Sequence, residues 1–380
     1  MKKNQSGFQA IKISKKLGGK IEIRSKVKLT KENLPVLYTP GVAEVSKAIA
    51  ADKKLSKIYT IQKNTVAVIS DGSAVLGLGN IGPEAAMPVM EGKALLFKEL
   101  GGVDAIPIVL ATQDTEEIIK TVKFLAPSFG GINLEDISAP RCFEIEERLK
   151  KELDIPVMHD DQHGTAIVVL AGLINALKVV KKDIKKIRIV VSGSGAAGIA
   201  ITKLLFKYGA KDILMIDRMG VIYDGRKDGM NEVKIQMAKI TNRKKVKGGV
   251  RDALRGADVF IGVSAPNILT EEDVLTMKEK AIVFAMANPV PEIMPDRAHS
   301  CGCYIMATGR SDFPNQLNNV LAFPGIFRGA LDNQVKTITD DHKIGAAQAI
   351  AGLIKNPTAD RIIPEALDRK VVNAVAKIIR

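Results

Sequence analysis

The chain has no tryptophan, five tyrosines and three cysteines in 380 residues, and aromatics make up only 4% of it. So few stacking side chains leave little from which to build the base platforms of a nucleic-acid binder, although a net charge of +14 has the sign such proteins carry. The lysines are dispersed in short runs, Lys15-Lys16, Lys181-Lys182, Lys185-Lys186 and Lys244-Lys245, the usual pattern of solvated helix ends. What survives of the charge argument is a general attraction for small anionic substrates. Cys142, Cys301 and Cys303 are too few for a disulfide framework, and Cys301-Gly-Cys303 lacks the second pair that a zinc site would need. No long apolar run is free of charge, and the basic start MKKNQSGFQAIKISKK has no secretion-signal core. The expectation is a cytoplasmic protein that engages neither membrane nor nucleic acid.

What is present is an ordinary α/β composition, with 46% apolar residues and 32 glycines, in a chain too long for one compact core. From Ile187 onward short β-branched runs alternate with helical periodicity: IRIVV, then GIAITKLLFKYGA closing near Gly209, ILMID, ADVFIGVSAPN, AIVFAMANPVP and CYIMATGR. That alternation predicts a doubly wound parallel sheet of Rossmann type. The first part reads as a separate α/β domain, with the division placed between 155 and 156 and domains of 1–155 and 156–380. Within the first domain, TVAVISDGSAVLGLG has an Asp-Gly pair between apolar runs, which predicts a β-hairpin. The tail from NNVLAFPGIFRGALD onward alternates Ala-rich helices with loops and is expected to pack back toward the cleft.

The pattern G-x-G-x-x-G occurs twice, as Gly77, Gly79, Gly82 and as Gly193, Gly195, Gly198. A dinucleotide loop must follow a strand, open a helix and have an acid about 20 residues on. Asp104 and Asp217 both meet the acid criterion, so context decides. The second copy, Gly193-Ser194-Gly195-Ala196-Ala197-Gly198, lies between a clean strand and a proline-free helix, and Asp217 ends the next strand where it can accept from a ribose hydroxyl. Arg218 beside it offers a charge for a 2′-phosphate. In the first copy, Pro83 and Pro88 follow the glycines, and Pro88 is expected to interrupt a phosphate-capping helix. The cofactor, NAD or NADP, is therefore assigned to the second copy.

Acids gather at two strand ends, Glu135-Asp136 in LEDIS and Asp160-Asp161 in HDDQHGTA. Crowded carboxylates suit a hard divalent ion, Mg²⁺ or Mn²⁺, while capping of the following helix by Asp160 or Asp161 fits the spacing equally well. His159 and His163 do not complete an H-E-x-x-H zinc pattern. Tyr38 precedes a rigid Thr-Pro-Gly turn. Lys93 is read as lying near a helix start, against the dipole, which would lower its proton affinity and suit it to act as a base; a surface role for either residue fits as well.

Taken together, LYTPGVAEV, SDGSAVLGLGNIGPEAAMPVMEGKALLFK, FGGINLEDISAPRCFEIEERL, HDDQHGTAIV, MANPVPEI, ATGRSDFPNQ and NNVLAFPGIFRGALD resemble the malic enzymes, in the short prokaryotic form, over about residues 30 to 335. The resemblance implies an amino-acid-dehydrogenase-like α/β substrate domain beside the Rossmann domain. It also implies oxidative decarboxylation of L-malate to pyruvate and CO₂, with NAD or NADP and Mg²⁺ or Mn²⁺. On this basis Glu135, Asp136 and Asp161 match metal ligands, Lys93 the general base, Tyr38 the acid that protonates the enolpyruvate carbon, and Asp160 the carboxylate that tunes the lysine. Ser264 and Asn288 match cofactor contacts, and Lys93, Asn288, Asn318 and Asn319 match substrate contacts. One departure is Ala74, where larger members carry an arginine that grips a malate carboxylate. The resemblance further implies a homodimer whose sites are completed across the interface. Two rival readings are a metal-independent amino-acid dehydrogenase, against which the clustered acids speak, and a catalytically silent nucleotide sensor, against which Tyr38 and Lys93 speak.

Overall fold

The computed structural model describes residues 2–75 and 77–380, with side chains from residue 7; Met1, and Leu76 inside the first glycine pattern, lie outside the described residues. Two parallel sheets organise the chain. The first has the order β2-β1-β3-β4, with β1 Thr65–Ser70, β2 Asp104–Val109, β3 Gly131–Leu134 and β4 Val157–His159. The second runs β10-β9-β8-β5-β6-β7, with β5 Arg188–Ser192, β6 Asp212–Asp217, β7 Gly220–Val221, β8 Val259–Gly262, β9 Ala281–Ala285 and β10 Cys303–Thr308. Among the strands of the described residues, the short edge strand β7 alone is antiparallel to its neighbour. Strands covered on both faces must be apolar throughout rather than alternating. Val66, Ala67, Val68 and Ile69 of β1 accordingly have no exposed surface, and neither do Ile189, Val190 and Val191 of β5. The second sheet is the doubly wound Rossmann arrangement, whose ligand crevice lies at the carboxyl ends of the strands where the winding reverses.

The helices the site depends on, among others in the described residues, are α1 Lys2–Leu17 and α2 Val42–Ala51 of the N-terminal segment, α3 Pro83–Gly101, α4 Arg141–Glu152, α5 Asp160–Val180, α6 Ala196–Tyr208, α7 Phe323–Asp332 and α8 Asp340–Gly352. By length and composition α5 is apolar enough to cross a bilayer, with a mean hydropathy of 1.7, but 72% of its apolar window is buried inside the protein. It is a core helix packed against α6 and α8. The tail returns to the first domain through α7, where Phe323 and Phe327 close on Phe97 of α3 at 4.7 and 5.5 Å between ring centroids.

Three expectations need correction. Among the described residues β1 does not pair back on the stretch after Asp71-Gly72; it pairs in parallel with β2 and β3, and that stretch has only the isolated antiparallel bridge Val75–Gly79. The Asp71-Gly72 pair instead begins a long loop that ends at α3, so β1, loop and α3 make a strand–helix unit, as β5 and α6 do. Pro88 does not interrupt α3, which continues through it to Gly101. The first sheet also runs past the expected division at 155, because β4 pairs with β3.

The segment before β1 has a different character. Between residues 7 and 61 no side chain is buried, and Phe8, Ile11, Ile23, Val36 and Ile61 are among the large apolar groups left in water.

Candidate active site

The carboxyl ends of β1, β3 and β4 converge on one point, because parallel strands deliver their following residues to the same edge. Glu135 and Asp136 follow β3, and Asp160 and Asp161 follow β4 as the first residues of α5. Neither aspartate caps that helix; His159 holds the cap position, without a side-chain bond. Lys93 enters from α3 and lies almost fully buried. Its Nζ is 2.5 Å from Asp160 Oδ2 and 2.7 Å from Glu135 Oε1, and it stands 4.3 Å from the Phe323 ring centroid. Asn133 donates to Glu135 Oε2 at 2.9 Å, and the backbone N–H of Asp136 donates to Asp161 Oδ2 at 2.7 Å.

Three carboxylates, Asp160, Glu135 and Asp161, act on the one ammonium of Lys93 and leave a surplus of negative charge. Burial, with the neighbouring acids adding to it, pushes Asp160 up to about 7 and Asp161 up to about 6 despite the opposing pull of Lys93. Burial likewise raises Glu135. Burial alone would lower the proton affinity of Lys93, but Asp160, Glu135 and Asp161 outweigh it, so the affinity is raised. This corrects the expectation of a lowered value: Lys93 lies well inside α3, not at its start, and adjacent carboxylates override any dipole effect. Among the described residues, no three acidic, histidine or cysteine side chains are arranged around a common metal position. The chemistry of the donors nevertheless fits a hard cation, since Glu135 and Asp136 are buried and Asp161 partly buried oxygen donors at one edge of the sheet. A zinc site does not fit. His163 Nε2 is 2.8 Å from Glu146, and Cys301 and Cys303 are free thiols in the second domain.

The second domain closes this cluster. Asn319 Nδ2 donates to Asp160 Oδ2 at 2.5 Å, whereas the Asn318 side chain caps its own turn by accepting from Val320 N–H. A Cβ on Gly77 would stand 2.6 Å from the Asn288 carbonyl oxygen, so the first glycine loop abuts the loop after β9. Tyr38 is not part of the cluster. Its side chain is 67% exposed on the N-terminal segment.

The second glycine loop has the geometry of a phosphate cradle. It turns from β5 into α6 within three residues, whereas the first loop takes twelve residues from β1 to α3. A Cβ on Gly198 would fall 1.9 Å from the Gly193 carbonyl oxygen, so helix and loop pack as only glycine allows; a Cβ on Gly195 would meet nothing within 4 Å, so that side of the loop is open to a ligand. Ser194, Ala196 and Ala197 are partly exposed at the helix N-terminus, and Ser264 and Asn288 sit exposed after β8 and β9. Loop length thus separates the two copies where Pro88 does not.

Asp217 is already engaged within the protein: Arg226 donates to both of its oxygens and Lys234 Nζ donates at 2.7 Å. Burial alone would raise it, but these bonds overcome that and hold it at about 2. Arg218 lies exposed beside it. Nothing in the sequence pattern singles out Arg226 or Lys234, because only the fold brings them to Asp217.

Known proteins share this architecture and sequence along nearly the whole chain. Residues 18–150 match the family described as malic enzyme, N-terminal domain, and residues 162–379 match malic enzyme, NAD binding domain. A bifunctional malic/malolactic enzyme of Bacillus subtilis is 56% identical over 98% of this chain and 91% of its own length. An NAD-dependent malic enzyme of Geobacillus stearothermophilus is 57% identical over 96% of this chain and 76% of its own. The solved structure of the NAD-dependent malic enzyme of Thermotoga maritima superposes with a TM-score of 0.95 at 50% identity, covering 97% of this chain and 98% of that one.

Proposed function

The chain belongs to the malic enzyme family, a family of oxidoreductases, and from that premise we propose that it oxidises L-malate at C2 with NAD⁺ or NADP⁺ and releases CO₂ to leave pyruvate, with Mg²⁺ or Mn²⁺ required. The observation that carries this reading is Lys93 held between Asp160 and Glu135 under Asn319 and Phe323, at the junction of the two domains.

Glu135, Asp136 and Asp161 are the residues that would hold the metal. Bound there, it would neutralise the surplus charge and polarise the substrate C2 oxygen as a Lewis acid. Lys93 Nζ is the acceptor for the C2 hydroxyl proton. A cation held by Glu135 and Asp161 would offset two of the three charges that raise its proton affinity, so that Lys93 could give up its proton and serve as a neutral amine base. Asp160, lifted to about 7 and 2.5 Å away, can share the accepted proton through Oδ2. Once C2 is a ketone, the carboxylate β to it leaves as CO₂, its bond electrons staying on C3 and delocalising onto the C2 oxygen, and Tyr38 returns a proton to that enolate carbon. Asn288 and Asn319 orient the substrate. Gly193 to Gly198 receive the pyrophosphate at the α6 N-terminus.

Tyr38 reads as the contribution of a second copy. It lies on a segment with no buried side chain and many exposed apolar groups, the kind of surface that marks an association site. We therefore infer a homodimer in which Tyr38 reaches the neighbouring cluster.

The test is reduction of NAD⁺ or NADP⁺ by L-malate, followed with Mn²⁺ and then with EDTA. Turnover with Mn²⁺ that EDTA removes is expected. Asp161→Ala is expected to lose that turnover while keeping NADH affinity near wild type. Activity on amino acids that survives EDTA would point to the rival dehydrogenase, and cofactor binding without turnover to the silent sensor.

A further inference from the structure

Glu292 is completely buried in the second domain, in the PVPEI stretch that follows Asn288. Its Oε1 accepts the Ser264 N–H at 3.0 Å and its Oε2 accepts the Ala287 N–H at 3.0 Å. Ser264 comes just after β8, and Ala287 just after β9 and next to Asn288. One carboxylate therefore bridges the ends of two adjacent strands at the ligand edge of the sheet.

The fold makes room for it. A Cβ on Gly262 would lie 2.4 Å from Glu292 Cδ and 2.5 Å from Oε1, so the last residue of β8 has to be glycine. A third loop joins through Ser264, whose Oγ is 3.1 Å from Ser192 Oγ at the start of the phosphate cradle. Gly193 packs against the same connection, its Cβ position being 2.6 Å from the Val263 carbonyl oxygen. Backbone bonds from Asn267 N–H to Pro291 O and from Leu269 N–H to Glu292 O, both 3.1 Å, keep the acid from sliding. A buried carboxylate with both oxygens bound to backbone N–H groups is a charge-assisted clamp, and deleting one of its bonds leaves a buried donor without an acceptor.

We propose that Glu292 is a positioning residue that couples the dinucleotide crevice to the malate side of the cleft by fixing the separation of the Ser264 and Ala287–Asn288 loops. This rests on the assignment of that cleft to malate and a dinucleotide. Lys93 bonds to Asp160 and Glu135, which accept in turn from Asn319 and Asn133, so the loss of Glu292 should fall on cofactor affinity and on communication between ligands.

The experiment measures NADH binding by fluorescence, with and without oxalate, a planar stand-in for enolpyruvate, on the full-length protein with Mn²⁺. In the wild type oxalate should tighten NADH binding. Glu292→Gln keeps the size but turns an amide N–H₂ toward one backbone N–H. It is expected to weaken NADH by about tenfold or more, the worth of one charged hydrogen bond, and to abolish the tightening. KM for NAD⁺ should rise further than kcat falls, and Mn²⁺ affinity should stay unchanged. A folded variant with NADH affinity within about twofold of wild type and intact tightening overturns the proposal, at a threshold well inside one such bond. Gly262→Ala, which displaces the carboxylate without removing it, should reproduce the defect, and a folded Gly262→Ala protein that binds NADH normally overturns the proposal too. In the wild type the Ser264 and Ala287 amides should exchange slowly with solvent deuterium although Ser264 is exposed; rapid exchange at both is likewise against it. A wild-type protein that neither binds NADH nor oxidises malate would instead sink the underlying function.

Discussion

A lysine amine between two buried carboxylates keeps its proton, so the base assigned to Lys93 is a property of the loaded site and not of the side chain. The residue is legible in the sequence through its family motif, but its electrostatics are not: helix position suggests a lowered proton affinity, whereas Asp160 and Glu135 raise it. Asp217 follows the same logic. The strand-end acid is readable from the spacing after Gly193, but its partners Arg226 and Lys234 lie nine and seventeen residues further on and meet it only in the folded chain. We expect Asp217→Asn to free both cations for a 2′-phosphate. The ratio of kcat/KM for NADP⁺ over NAD⁺ should rise by about tenfold or more, equivalent to one charge-assisted hydrogen bond. An unchanged ratio would remove Asp217 from cofactor choice.

At the scale of elements, parallel strands are easy to find because burial on both faces makes them continuous apolar runs, as in β5, β8 and β9. The loop after β1 misleads for a physical reason. Asp-Gly signals a left-handed turn, and Gly72 does take a φ of 68°, but the turn leads into a loop toward α3 instead of back along β1. The origin of α5 is fixed by a contact that sequence reasoning does not anticipate. Glu146 of α4 accepts the His159 N–H at 3.0 Å, lies 2.8 Å from His163 Nε2 and pairs with Lys150 Nζ at 2.5 Å. The carboxylates of α5 thus depend on an acid from the neighbouring helix. Burial alone would raise the Glu146 carboxyl, but His163 and Lys150 hold it well below the usual range. A folded value below the unfolded one contributes stability above the unfolded pKa, and that stability is lost as pH falls through the folded value. Glu146→Gln should therefore destabilise the protein by about 2 kcal/mol near pH 7. The gap in Tm between variant and wild type should narrow below about pH 4.5, the ordinary glutamate range. A gap that stays constant with pH would mean that the glutamate acts by shape alone.

At the scale of the molecule, the two-domain plan is readable from the change of pattern near Ile187, but the connection between the domains is not. The first sheet takes β4 from beyond the expected division, and α7 returns Phe323 to the Lys93 cluster. Assembly is the remaining long-range question. Tyr38→Phe and Lys93→Ala proteins, each inactive alone, should regain about a quarter of wild-type activity when refolded as an equal mixture. Half of the random dimers are mixed, and one site in each mixed dimer is intact. No recovery would place Tyr38 and Lys93 in the same chain. The contact of Gly77 with the Asn288 carbonyl works at this scale as well. It is a doorstop with no side chain: the missing methyl group at residue 77 sets how narrowly the two halves can shut. A larger residue there would leave the cleft ajar, admit bulk water and let the half-finished keto acid escape before it loses CO₂.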